Sequence, residues 1–355
     1  MKVCLLINSF NLGGAEKLMY DMAAALEAKG VEVHLVAMKK AETELEKKIF
    51  AKLLDKNFRV GAIDKPVGSG KVKSVLAIRK YLKKNKIDVL HTNGQSPDFY
   101  GRLATVIYPK TKNLVTIHNT MGYSRKIEKL FGFITDAYSA VSKQAAEYTA
   151  KTLGVKKSIA VVDNSIDVSR YEKTADKSEK FRILSVGRVV KQKGYVNVAA
   201  RMSDYLTENP DAEWVIVGEM HQDEKYLESL LKLIDEKVKD RVVLTGAVTN
   251  PEEHYKSADC FLLPSENEGF GIAYIEAMAA KLPVICNKVG VILDVEKMNG
   301  KFFDLGEKDL CECINESRNM NAEEIEKNYI LCRDNYSLEA KAQQYIEIYE
   351  NLKRR

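Results

Sequence analysis

An alternation in this chain constrains its fold more than any other feature. Short, unbroken apolar runs at residues 3–7, 31–36, 89–91, 114–117 and 137–141 alternate with amphipathic helical patterns at 15–28, 43–54, 72–84 and 97–108. A strand buried on both faces has no solvent side, so it reads as continuous apolar residues and not as a period of two. Strands of that kind, each followed by a helix, imply a parallel sheet covered on both faces. The polar stretch 163–180, DNSIDVSRYEKTADKSEK, interrupts the rhythm and reads as a linker. The alternation then restarts, with strands expected at 181–186, 214–217, 242–244, 260–263 and 283–286, and helices at 195–207, 224–237 and 272–280. The fold class expected is therefore α/β, with two tandem Rossmann-like domains. A length of 355 residues fits two domains of roughly 100–200 residues each. In such a pair a ligand is expected at the carboxyl ends of the strands, in the cleft between the domains.

Charge divides the chain. Residues 1–170 hold 29 lysines and arginines against 16 acids, whereas the remainder holds 26 against 34. A basic half joined to an acidic half implies different partners for each. A phosphorylated ligand or an anionic membrane face suits the basic half better than nucleic acid, because no recognition-helix, finger or ribonucleoprotein signature is present. The apolar run 3–7 falls far short of the ~20 residues of a spanning helix and does not form a signal peptide. The six cysteines are scattered, with only Cys311 and Cys313 close together, and read as reduced core thiols. The expected location is cytoplasmic.

Three loops carry candidate chemistry. The first expected strand ends in Asn8-Ser9-Phe10-Asn11-Leu12-Gly13-Gly14-Ala15-Glu16. Glycines at a strand-to-helix turn let backbone N–H groups approach an anion, with the helix dipole behind them. The spacing matches neither the dinucleotide nor the Walker fingerprint, so a plain tight turn fits equally well. The second domain opens with Gly187-Arg188 and then Lys193-Gly194. An arginine fork plus a lysine point charge at a strand's carboxyl end suits a diphosphate. The third loop runs Pro264-Ser265-Glu266-Asn267-Glu268-Gly269-Phe270-Gly271 and leads into a helix carrying Glu276. Ionised carboxylates accept hydroxyl hydrogen bonds strongly, so Glu268 and Glu276 suit the two polyhydroxylated rings of a nucleotide sugar. A helix N-terminus that favours acids explains Glu268 but not Glu276.

Glu268 and Glu276, inside the frame P-S-x-x-E-G-F-G-x-x-x-x-E-A-M-A, resemble the signature of the retaining family-4 glycosyltransferases of the GT-B fold, also called group-1 glycosyltransferases. Gly13-Gly14-Ala15-Glu16 resembles the family's first glycine loop, and Gly187-Arg188 with Lys193-Gly194 its G-R-x-x-x-x-K-G stretch. Ser139 to Ser142 and Asn164 to Asp167 resemble two further segments, so the resemblance spans nearly the whole chain. It implies that Arg188 and Lys193 bind the donor diphosphate and stabilise it as leaving group. It implies that Glu276 holds the ribose and Glu268 the hydroxyls of the transferred sugar. Gly13, Gly14, Gly187, Gly269, Phe270 and Gly271 would line the donor site, and His118 would approach the sugar. The resemblance further implies retention by front-face attack, without an enzymic nucleophile. It also implies a C-terminal helix over residues 338–352 that crosses back to the first domain. The domains are then 1–165 plus 337–355, on the acceptor side, and 166–336, on the donor side.

No Asp-x-Asp pair occurs in the sequence, and the two cations stand where a metal would neutralise the leaving group. No metal or other cofactor is expected; the nucleotide sugar, expected to be UDP-linked, is a substrate. The expected acceptor is a lipid-linked or saccharide molecule in surface glycan assembly. The chain departs from the family pattern at Asn93, where a second histidine is common after His91, at Ser165 and at Val291. The basic, aromatic segment 123–134 has apolar residues at 123, 127, 130, 131 and 134 on one helical face. It suits either core packing or an anionic membrane surface. Other readings are a nucleotide-sugar hydrolase or epimerase of the same fold, a non-catalytic partner subunit, and a glycoside hydrolase with two working carboxylates.

Overall fold

The computed structural model describes residues 1–10, 14–55, 58–64, 71–118, 123–172 and 179–354. The chain divides into two units, Met1–Ser165 with Leu338–Arg355, and Ile166–Ser337.

The first unit is built on a parallel seven-stranded sheet. Its strands are β1 (Lys2–Ile7), β2 (Glu32–Ala37), β3 (Arg59–Ala62), β4 (Val89–Asn93), β5 (Lys112–Ile117), β6 (Ala137–Ala140) and β7 (Ile159–Val161), in the order β3-β2-β1-β4-β5-β6-β7. The helices are α1 (Gly14–Ala28), α2 (Glu44–Asp55), α3 (Lys71–Asn85), α4 (Gln95–Val106), α5 (Arg125–Phe131) and α6 (Lys143–Glu147). Helix α1 buries Leu18, Met19, Met22, Ala23 and Leu26, an i, i+3, i+4 stripe, against the sheet. The strand order reverses between β1 and β4. In parallel α/β sheets such a switch point opens a crevice at the carboxyl ends, which here are the turns leading into α1 and α4. Strands β3 and β7 have no counterpart among the apolar runs. They are short edge strands, half exposed, and need no apolar residues on both faces.

The second unit repeats the plan with six parallel strands: β8 (Phe181–Val186), β9 (Ala212–Val217), β10 (Val242–Gly246), β11 (Cys260–Leu263), β12 (Val284–Cys286) and β13 (Phe303–Asp304). Their order is β10-β9-β8-β11-β12-β13. Its helices are α7 (Tyr195–Glu208), α8 (Glu224–Lys232), α9 (Glu252–Lys256), α10 (Ile272–Ala279), α11 (Ile292–Lys297), α12 (Leu310–Arg318) and α13 (Ala322–Tyr336). The switch point lies between β8 and β11. The helix expected over 224–237 stops at Lys232, because the Asp235 carboxylate accepts from the backbone N–H of Lys237 and starts a separate 3₁₀ turn.

The stretch read as a polar linker contains anchors. Ile166, Val168 and Tyr171 are buried in the core of the second unit, and Ile166 pairs with Ser337. The chain thus enters this unit at 166 and leaves it at 337, side by side. The last helix, α14 (Leu338–Arg354), returns to the first unit, where Leu338, Ala342, Tyr345, Tyr349 and Leu352 join the core beneath α1 and β1. Ile346, expected in the same stripe, is only partly buried.

Helix α5 inverts the sequence pattern. It buries its one acid, Glu128, and exposes Ile127 and Leu130, with Phe133 in the following turn 76% exposed. The cause is the fully buried Arg102 on α4, whose Nη2 donates to both Glu128 oxygens at 3.1 and 3.0 Å, while the Tyr138 hydroxyl donates at 2.8 Å. A buried guanidinium must be paired, and this need outweighs exposing two apolar side chains.

Candidate active site

In the second unit, the loops leaving β8 and β11 meet at the switch point. Gly194 is left-handed, at φ 71°, and a Cβ there would lie 2.0 Å from the Pro264 carbonyl oxygen. Only glycine lets the two loops touch so closely. That approach brings Lys193 onto the β11 loop, where its Nζ lies 2.6 Å from Glu268 Oε1. The Ser265 hydroxyl donates to the same oxygen at 2.7 Å. The lysine stem runs over Gly187, where a Cβ would stand 3.1 Å from Lys193 Cε. Gly290, at φ 62°, closes the other side, with its Cβ position 3.0 Å from that of Glu268.

The cation and the carboxylate assigned to different parts of a ligand thus hold each other. Glu268 is buried, so its negative charge needs this partner. Arg188 is exposed and donates from Nη1 to Gln222 Oε1 at 3.0 Å, on the loop after β9. Gly269 and Gly271 flank Phe270. The Phe270 ring is turned into the core, edge-on to Tyr336 at 5.8 Å, and its carbonyl accepts from Val291. Any ligand contact at this position would have to be made by the backbone.

Glu276 lies in the second turn of α10. The Tyr171 hydroxyl donates to Oε1 at 2.5 Å and the Tyr255 hydroxyl to Oε2 at 2.8 Å. The two rings meet edge to face at 5.4 Å. Burial, and then the charge of Glu276, push both phenols well above their ordinary pKa, so they remain donors. Each carboxylate oxygen keeps a second lone pair for a ligand hydroxyl. Neither tyrosine, nor Ser265, nor Gln222 carries a role in the sequence reading. Tyr171 and Tyr255 stand 105 and 21 residues from their partner, beyond the range of any local pattern.

The remaining candidates belong to the first unit. Gly14 opens α1 after β1, and Gly13 lies outside the described residues. His118 follows β5, and its Nε2 lies 2.9 Å from Asn93 Oδ1 at the end of β4. Burial pushes its pKa down to about 4, so the ring is neutral near pH 7. Beneath it His91 is fully buried, with Nδ1 2.7 Å from the Tyr349 hydroxyl of α14 and Nε2 2.6 Å from Thr116 Oγ1. Burial, and then the charge of His118, lower the His91 pKa to about 3. His118, Asn93 and His91 are thus neutral hydrogen-bonding groups, whereas the loops of the second unit carry a lysine–glutamate pair. The switch point of the second unit thus carries an exposed arginine, a lysine–glutamate pair and a carboxylate held by two phenols.

Two family models match the chain in succession. Glycosyltransferase Family 4 covers residues 12–170, and Glycosyl transferases group 1 covers residues 169–309. The chain belongs to the group 1 glycosyltransferases of the GT-B fold and is a glycosyltransferase. It is 29% identical over 245 residues to the Escherichia coli UDP-Gal:alpha-D-GlcNAc-diphosphoundecaprenol alpha-1,3-galactosyltransferase, a match covering 61% of this chain and 62% of that enzyme. It is 26% identical over 311 residues to the E. coli O-antigen biosynthesis glycosyltransferase WclY, covering 81% and 85% of the two chains. Among solved structures, a glycosyltransferase from Rickettsia africae superposes with a TM-score of 0.83 at 18% identity, over 99% of this chain and 98% of that one. Anabaena HepE in complex with UDP-glucose superposes at 0.78 with 16% identity, over 99% and 100%. At such identities the superpositions establish the fold alone.

Proposed function

We propose that this enzyme transfers a sugar, with retention of anomeric configuration, from a UDP-sugar to a lipid-linked or saccharide acceptor in surface glycan assembly. The observation that carries this reading is the meeting of Lys193 and Glu268 across two loops of the second unit's switch point, with Arg188 exposed on the first of those loops and Glu276 held on the following helix. In this reading the bond between the sugar's anomeric carbon and the diphosphate breaks, and Arg188 and Lys193 take up the charge of the departing diphosphate. The acceptor hydroxyl forms the new bond on the same face, and its proton passes to the departing phosphate oxygen. Glu268 orients the hydroxyls of the transferred sugar, Glu276 orients the ribose, and His118 serves as a hydrogen-bonding group for the sugar. The name of the E. coli galactosyltransferase supports the UDP-sugar and the diphosphoundecaprenol-type acceptor, and that of WclY supports surface glycan assembly.

Metal independence belongs to the same reading, because two cations are available for the leaving group. Among the described residues no helix is long and apolar enough to cross a membrane. Work at the inner membrane face would therefore rest on surface contact. Exposed Leu130 and Phe133, beside Arg125, Lys126 and Lys129, support that contact. Incubation of the full chain with labelled UDP-sugars and saccharide-diphosphate lipids in excess EDTA tests the proposal. An α-linked product from an α-linked donor, formed at an unchanged rate, is the expected result. An inverted anomer, or activity abolished by EDTA and restored by Mn²⁺, would refute retention or metal independence respectively.

A further inference from the structure

We infer that Asn93 is a positioning residue that fixes the tautomer of His118, so that this histidine accepts a hydrogen bond from its ligand and does not donate one. Asn93 Nδ2 lies 3.4 Å from the carbonyl oxygen of His91, two residues back on the same strand. A carbonyl oxygen only accepts, so the amide nitrogen of Asn93 faces it and Oδ1 faces the other way. That oxygen lies 2.9 Å from His118 Nε2. An amide oxygen also only accepts, so Nε2 carries the hydrogen. A neutral imidazole has one N–H, and the other nitrogen is a bare lone pair. His118 therefore presents Nδ1 as an acceptor, and among the described residues Nδ1 has no partner.

The amide of Asn93 cannot easily flip. It is buried at 7% exposure, and turning it over would set Nδ2 against His118 and leave two carbonyl-type oxygens facing each other. Below Asn93, His91 is tied on both nitrogens, to Tyr349 and Thr116, and Thr116 is tied in turn to Ser139 at 2.5 Å. The strand that carries Asn93 is thus braced from β5, β6 and α14, and the brace holds the amide against the histidine. A histidine at position 93 would have two orientations and two tautomers to choose from. Asparagine, with its nitrogen committed to a carbonyl, has one.

The consequence concerns the kind of ligand, and this step rests on the placement of His118 against the transferred sugar proposed above. A lone pair at Nδ1 takes a hydrogen from a hydroxyl or an amide N–H. It repels a carboxylate and cannot hold a phosphate oxygen. The sugar position opposite His118 therefore carries a hydroxyl or an acylamino group, so uronates carboxylated at that position and sugars deoxygenated there are disfavoured.

The test reads the tautomer directly and needs no turnover. The full chain, labelled with ¹⁵N-histidine, is studied by long-range ¹H–¹⁵N correlation near neutral pH. His118 is assigned from the signal lost in His118→Gln. The expected spectrum shows a protonated Nε2 and a pyridine-like Nδ1. In Asn93→Ala the two nitrogens should move toward averaged shifts, and in Asn93→Asp, which restores an acceptor oxygen, Nε2 should again be the protonated atom. With the donor, Asn93→Ala should lose roughly two- to tenfold in kcat/KM, the weight of one hydrogen bond. Protonated Nδ1 in the native chain, or an unchanged tautomer in Asn93→Ala, overturns the inference. A correct tautomer with no preference between UDP-hexoses and UDP-hexuronates would leave the positioning role intact and refute the placement of His118 at the sugar, so the two failures are distinguishable.

Discussion

The two switch points share a plan and differ in chemistry. Both lie where a parallel sheet reverses its strand order, and in the second unit the loop after the central strand touches the loop after its neighbour. In the second unit those loops carry a lysine and a glutamate 2.6 Å apart, with an exposed arginine at one side. In the first, the end of β4 and the loop after β5 carry an asparagine and a neutral histidine beside the buried His91, with no charged group in that run of hydrogen bonds. The same backbone solution serves two tasks. In the reaction proposed above, one end stabilises an anion that grows in charge and the other aligns hydroxyl groups without altering any charge.

The sharpest way to break this contrast is to remove charge from one side and hydrogen bonding from the other. Lys193→Ala should lower kcat by about 10²–10³, the usual cost of one group aimed at developing negative charge. His118→Ala should cost only about tenfold, as for a neutral hydrogen bond. Steady-state kinetics with a UDP-sugar and acceptor decide the matter. Because Lys193→Ala also leaves Glu268 buried without its cation, thermal melts of the variant separate lost stability from lost catalysis. Equal losses at Lys193 and His118 would show that the two ends do not differ in task.

A second effect, smaller, distinguishes the ends by pH. The folded-state pKa of His118 lies near 4, below its ordinary value of 6.5. Between those values the unfolded chain binds a proton that the native one refuses. Stability is therefore lost as pH falls below 6.5 and is unaffected above it, and by about pH 5 the loss attributable to this ring amounts to roughly 2 kcal/mol. Urea midpoints of the native chain and His118→Gln should converge or cross between about pH 7 and 5, with the native chain losing more. A difference that does not change with pH would mean that the ring is not desolvated.

What the sequence disclosed follows the same divide. The loops of the second unit were legible because their glycines, cations and acids stand within a few residues of one another, and a strand-to-helix turn needs them there. The doubly wound sheets were legible because central strands must be apolar on both faces. The edge strands β3 and β7 escaped, since four and three half-exposed residues leave no pattern. The orientation of α5 escaped too, because Glu128 is buried only through Arg102, 26 residues earlier. Asn93 looked like a missing histidine, yet its partner His118 lies 25 residues away on the next strand's loop. Side chains that serve a site from a distance leave no mark on the local sequence. The two tyrosines on Glu276 are the plainest example.

Those tyrosines give the smallest effect and the finest test of the contrast. If the second unit relies on charge alone, the orientation of Glu276 matters little, and removing a phenol that donates to it should leave nucleotide affinity unchanged. If the carboxylate must be aimed, each hydroxyl contributes by holding one oxygen while the other lone pair serves the ribose. Hydrogen bonds to a charged group contribute roughly 1.5–3 kcal/mol when fully desolvated, and Glu276 is only partly buried. Tyr255→Phe should therefore weaken UDP binding by about five- to tenfold, somewhat below that range. Tyr171→Phe should do the same, and the double variant should lose less than the product of the two, because the hydroxyls restrain one carboxylate. Calorimetric titration with UDP measures the affinities, and thermal melts check that the rings still pack. Glu276→Gln supplies the reference, since with the charge gone the tyrosine substitutions should add little. Full additivity of the tyrosine substitutions with Glu276→Gln would show that the phenols act on the fold and not on the aim of the carboxylate.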